Sequence, residues 1–193
     1  MLGTLLLVDS VMGLALGATL LTEPKPQPTD PVRRRAKSPG QQLAESVLRA
    51  WPGTLPVDVL ALSAACQVPV RGMALESDVG ALLDWSRDAE RVSARMTVNT
   101  AMSAAAQRFA VAHALCRALQ RHTSVTHVRR ASFFTGVTSA EEKVANDFAL
   151  HLLIPTYGFE SMIGRLGKVE KLAKVYGVAP AAMGNRITSF FGY

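Results

Sequence analysis

The chain has little cysteine. Cys66 and Cys116 are its only two in 193 residues, and they lie far apart without framework spacing. That excludes a disulfide-stapled scaffold and points to reduced thiols in a cytosolic compartment. Aromatic residues are scarce at 6%, so Ala, Leu and Val carry the apolar load within a hydrophobic share of 49%. Such a mix supplies a sizeable core and favours helices. No internal repeat is visible, which excludes a solenoid. Acidic residues are missing altogether from Arg91 to Ala140, although the stretch carries Arg91, Arg95, Arg108, Arg117, Arg121, Arg129 and Arg130.

What is present is a net charge of +6, unevenly placed, with a second basic run at Arg33, Arg34, Arg35 and Lys37. A one-sign stretch attracts anionic partners, DNA among them; alternatively, acidic residues elsewhere in the fold neutralise it.

Residues 1–22 are almost wholly apolar, with Asp9 the one charge among them. The run from Leu2 to Leu21 has about the length that spans a bilayer as a helix. Asp9 is expensive there, and no basic region precedes the run, so a secretory signal peptide fits poorly. The arginines downstream would keep the rest of the chain on the cytoplasmic side. The segment therefore reads as a candidate membrane anchor facing the cytoplasm, against an ordinary buried helix or a start codon placed too early. Residues 23–40 hold Pro24, Pro26, Pro28, Pro31 and Pro39 and read as a Pro/Arg-rich linker. The remaining residues, 41–193, form the folded domain.

Within that domain, apolar spacing predicts helices over Gln41–Ala50, Val57–Ala65, Ala101–Arg121 and Ser139–Leu153, the last ended by Pro155. Two more are predicted around Leu166–Tyr176 and Pro180–Phe190. Alternation predicts strands at Val68–Ala74, Gly80–Trp85 and Arg95–Asn99. Short strands followed by several helices indicate an α+β domain.

The stretch that bears on chemistry is Arg108-Phe-Ala-Val-Ala-His-Ala-Leu-Cys-Arg117. A zinc peptidase of the His-Glu-x-x-His type needs two imidazoles one helical turn apart, with a Glu beside the first as general base. Here only His113 is in place. One helix later comes Glu142-Lys-Val-Ala145-Asn146-Asp-Phe148-Ala149-Leu-His-Leu152-Leu153-Ile-Pro155. Together these resemble the ImmA/IrrE-type metallopeptidase family, in which Arg-Phe-Thr-x-Ala-His-Glu-x-x-His is followed by Glu-x-x-Ala-Asn-x-Phe-Ala-x-x-Leu-Leu-x-Pro. The resemblance runs from about Thr54 to the C-terminus. It implies a small zincin-like α+β domain and control of a helix-turn-helix repressor of a phage or mobile element.

Carried over by position, the resemblance places the family's metal ligands on His113, Arg117 and Glu142, and its catalytic base on Ala114. Alanine moves no proton, and arginine stays cationic and does not ligate zinc. The resemblance thus implies a degenerate member that binds without cleaving and holds no cofactor, or zinc if the site still functions. A residual metalloenzyme is the rival, with Cys116, three residues after His113, as a substitute ligand; the bland reading of Cys116 is a small buried hydrophobe. Ser139-x-x-Glu142 is also a capping box, so Glu142 has a structural role available. His151 is out of phase with Glu142 and is expected to point elsewhere, while His122 and His127 fall in expected loop. A third rival is a DNA-binding accessory, because Leu172-Ala-x-x-Tyr-Gly-Val-x-x-x-x-Met-x-x-Arg-Ile187 has helix-turn-helix spacing. If the metal is gone, Arg117 is expected to approach Glu142 and replace it as the crosslink between the two helices.

Overall fold

The computed structural model describes residues 36–49, 51, 53–88, 91–120, 126–129 and 139–192. The apolar segment 1–22 and most of the linker 23–40 lie outside them. Among the described residues no helix is long and apolar enough to cross a membrane.

Helix α1 runs Pro39–Leu48, starting inside the stretch read as linker. The reason is local: Ser38 caps it, its Oγ accepting from Gln41 N at 3.0 Å, and Pro39 sits at the first turn, where a missing N–H costs nothing. Helix α2 spans Val59–Ala65 and is capped by Asp58, which accepts from Leu60 N and Ala61 N. That cap leaves Val57, expected in the helix, ahead of it and fully buried.

Four strands form one mixed sheet, β1 (Val70–Met73), β2 (Val79–Asp88), β3 (Arg91–Asn99) and β4 (Thr126–Arg129), in the order β1-β3-β2-β4. β1 is parallel to β3; β2 is antiparallel to both β3 and β4. The β2–β3 hairpin is longer than the alternation predicted, because its far end is polar and gives no apolar signal. β4 corrects an expectation of loop: His127 lies in it, paired with Leu82. Its Thr126 and Val128 supply β-branching, but four residues are too few for a periodic signal. Asn99, buried at the end of β3, ties the turns on either side: its Nδ2 donates to Glu76 O and Val79 O, and its Oδ1 accepts from Leu75 N and Ala101 N.

Helix α3 (Ala104–Leu119) follows, capped by Ser103, and lies across the sheet. Helix α4 (Ala140–Leu153), capped by Ser139, packs on α3, and α1 packs on α4. At the second contact Gly40 is required. A Cβ there would come within 2.5 Å of Val144 O and 2.7 Å of Phe148 N, both backbone atoms that cannot step aside. The core between sheet and helices includes Leu83, Met96, Phe109, Leu115, Phe148 and Leu152. Each such side chain contributes about 1.5–3 kcal/mol by leaving water.

Three helices close the chain: α5 (Phe159–Leu166), α6 (Val169–Tyr176) and α7 (Pro180–Phe191). α5 was not anticipated. It has eight residues between Gly158 and Gly167, both left-handed, and lacks a side-chain cap to announce it. Gly177, at φ 63°, makes the turn between α6 and α7. Arg186 on α7 is buried. Its Nε donates to Ile154 O at 3.1 Å and its Nη2 to Thr156 Oγ1 at 2.8 Å, while the guanidinium lies 5.2 Å from the Phe159 ring centre. Burial lowers its pKa to about 10. The arginine of the helix-turn-helix spacing is thus spent on holding the end of α4. The fold is α+β, as the pattern of elements predicted.

Candidate functional site

The site lies where α3 crosses α4. His113 is fully buried on α3. Two residues one turn apart on α4 address it, so both face the same way. Asn146 Oδ1 is 3.0 Å from His113 Nδ1, and Glu142 Oε2 is 3.2 Å from His113 Nε2. An amide oxygen only accepts, so Nδ1 carries the proton and Nε2 is turned toward Glu142. This is how a metal-binding imidazole is usually oriented by a second residue. Asn146 carried no role in the sequence reading, though its i+4 spacing from Glu142 was the available signal.

Arg117 sits one turn after His113 on the same face, with its side chain only 12% exposed. Its Nη1 lies 3.0 Å from Glu141 Oε2 and 3.7 Å from Glu142 Oε1. The crosslink between the helices therefore exists, but its closer partner is Glu141, while Glu142 lies nearer His113. Sequence reasoning missed Glu141 because it is half outside the cleft, at 57% exposed, and precedes the aligned position by one.

The other named residues divide plainly. Ala114 is fully buried, a methyl group where a base would stand. Cys116 is fully buried as well, and burial pushes its thiol up to about 12, so the sulfur packs as a neutral group. His151 lies with Asp147, its Nδ1 donating to Asp147 O at 2.8 Å and lying 3.2 Å from Oδ1. Asp147 in turn bonds Ser38 Oγ on the α1 side, so this group is separate from His113. Burial alone would raise the Asp147 carboxyl, but the hydrogen bonds from His151 and Ser38 hold it below its ordinary value. His127 is in β4, and His122 lies outside the described residues.

Whether zinc fits can be judged from these distances. Two ligands of one tetrahedral zinc, at about 2.0–2.1 Å each, stand about 3.3 Å apart. His113 Nε2 and Glu142 Oε2, at 3.2 Å, keep that spacing. Where the family resemblance expects the second ligand there is the Arg117 guanidinium, which offers no lone pair and repels a dication. Among the described residues no three His, Cys, Asp or Glu side chains gather as a metal site. The donor set does not fit zinc.

The family model of the IrrE N-terminal-like domain, Peptidase M78, matches residues 66–188. The chain belongs to this family. The match contains α3, α4 and every residue of the crossing, and it leaves α1 and α2 outside. Among solved structures, a Mycobacterium tuberculosis transcriptional regulator shares the fold of this IrrE-like chain, with a TM-score of 0.53 and 16% identity. The alignment covers 77% of this chain and 45% of the regulator, so the chain spans less than half of that protein's length. No curated protein sequence matches it.

Proposed function

We propose that this IrrE-like domain is a regulatory protein-binding module that has lost peptidase chemistry, and that its partner is a helix-turn-helix repressor or similar protein of a phage or mobile element. One observation supports the loss of chemistry: the Arg117 guanidinium, paired with Glu141 and Glu142, stands one turn from His113, at the position where the family resemblance expects the second ligand. Ala114 supports it, because a general base within reach of a bound water is needed for hydrolysis. The domain boundaries at 23–40 and 41–193, and a membrane tether through Leu2–Leu21 with the domain facing the cytoplasm, belong to the same reading.

The test is metal content and cleavage measured together. The purified chain, dialysed against zinc, should hold far less than one zinc per chain and leave peptide substrates intact. Ala114→Glu with Arg117→His should raise zinc to about one per chain, because three donors and a base are then in register. Stoichiometric zinc in the unmodified protein would refute the reading.

A further inference from the structure

A groove of about 520 Å³ lies away from the His113 crossing, between the C-terminal end of α1, the 51–57 loop and the segment after α4. Its apolar wall is Leu48, Trp51, Leu55, Val57, Pro155 and Tyr157. Tyr157 is 94% exposed and Leu55 39%, so two large apolar side chains stand in water at its mouth. Residues 45, 48, 49, 51, 53–55 and 57, which form one bank, fall outside the 66–188 family match.

Both banks are fixed from behind by arginines. Arg108 Nη2 donates to Val57 O at 2.7 Å and its Nε to Gly177 O at 3.0 Å, tying the loop to the α6–α7 turn. Arg186 holds Ile154 O and Thr156 Oγ1, flanking Pro155 on the opposite bank. Trp51 is tied by its Nε1 donating to Thr54 O at 3.1 Å. A groove held open in this way loses little entropy when filled.

Among the described residues the rim has one charge to offer. Glu45 is taken by Lys37 and Gln41. Arg49 is exposed and, among the described residues, makes no ion pair or side-chain hydrogen bond. An exposed guanidinium beside an apolar trough selects an occupant that brings a carboxylate along with bulky apolar side chains.

We infer that this groove docks a segment of a protein partner in which an aromatic or branched apolar residue, seated between Trp51 and Tyr157, stands next to an Asp or Glu that pairs with Arg49. The inference rests on the protein-binding reading above and names the chemistry of the partner's segment.

Random linear peptides displayed on phage, selected on the full chain and counter-selected on a Tyr157→Ser variant, test it. Both Tyr157 and Arg49 are exposed, so neither substitution endangers the fold. Enriched sequences should combine an apolar anchor with an adjacent acid. A synthetic copy should lose about fivefold or more in affinity on Tyr157→Ser. On Arg49→Glu it should lose about threefold, and replacing its acid with Lys should restore binding to that variant. Absence of enrichment, a neutral or basic consensus, or affinities indifferent to both substitutions would overturn the proposal. So would a dimer in sedimentation that Tyr157→Ser dissociates, since a second copy would then be the occupant. Mass spectrometry of the incubated peptide keeps the two readings apart. A cleaved peptide sinks the loss of chemistry and leaves the groove, whereas failed selection sinks the groove alone.

Discussion

Helix α4 has two working sides, and they have been treated differently. Toward α3 it presents Glu142 and Asn146, which lie against the two ring nitrogens of His113, with Arg117 beside them. Toward α1 it presents bare backbone at Val144 and Phe148, against which Gly40 is pressed, and Asp147 with its Ser38 and His151 partners. The first side is a contact between polar and charged side chains. The second is close packing against a helix that the family model does not include. A polar contact of this kind is held by complementary charges, and one charged group can take the place of another. A tight helix contact has no such substitute, because only the absence of a side chain makes it.

The comparison can be broken most severely at Gly40. Gly40→Val should cost about 1–3 kcal/mol, since its added atoms meet backbone rather than a flexible side chain. Chemical denaturation should register that loss, and limited proteolysis should find α1 newly accessible. A variant as stable as the parent would mean that the two helices can slide apart freely.

Arg117→Ala should cost less, about 0.5–1.5 kcal/mol, because Glu141 is largely in solvent and its share of the pair is screened. Adding Glu141→Ala should recover part of this in a double-mutant cycle. A loss above about 3 kcal/mol would assign Arg117 the weight of a fully buried pair.

The smallest effect is with pH. Asp147 titrates lower in the folded chain than its unfolded value of about 3.9. Its contribution is therefore whole above about pH 5 and drains away as pH falls through the folded value. Asp147→Asn should flatten the stability profile in that acid range while leaving it unchanged in shape near neutrality. A profile equally steep in the variant would place the acid sensitivity elsewhere.

Much of this was legible in the chain. The long apolar periodicities of α3 and α4 gave both helices within a few residues, and with them the register that puts His113, Arg117 and Glu142 together. Short elements escaped. α5 is bracketed by two glycines and has no polar cap, and β4 offers only four residues. The start of α1 was hidden because Pro39 reads as linker until Ser38 is seen capping behind it. The choice of Glu141 over Glu142 by Arg117 could not be read at all. It depends on where α4 begins relative to α3.

Arg186 has one more consequence. It is the only lysine or arginine of α7, and its cationic head is closed off beneath Phe159 and Phe190. The residues that α7 turns to solvent, Pro180, Ala181, Asn185, Thr188, Ser189 and Phe191, are neutral. A phosphate backbone laid along that helix would give up none of its own condensed counterions to it, so α7 would add nothing to the slope of affinity against salt.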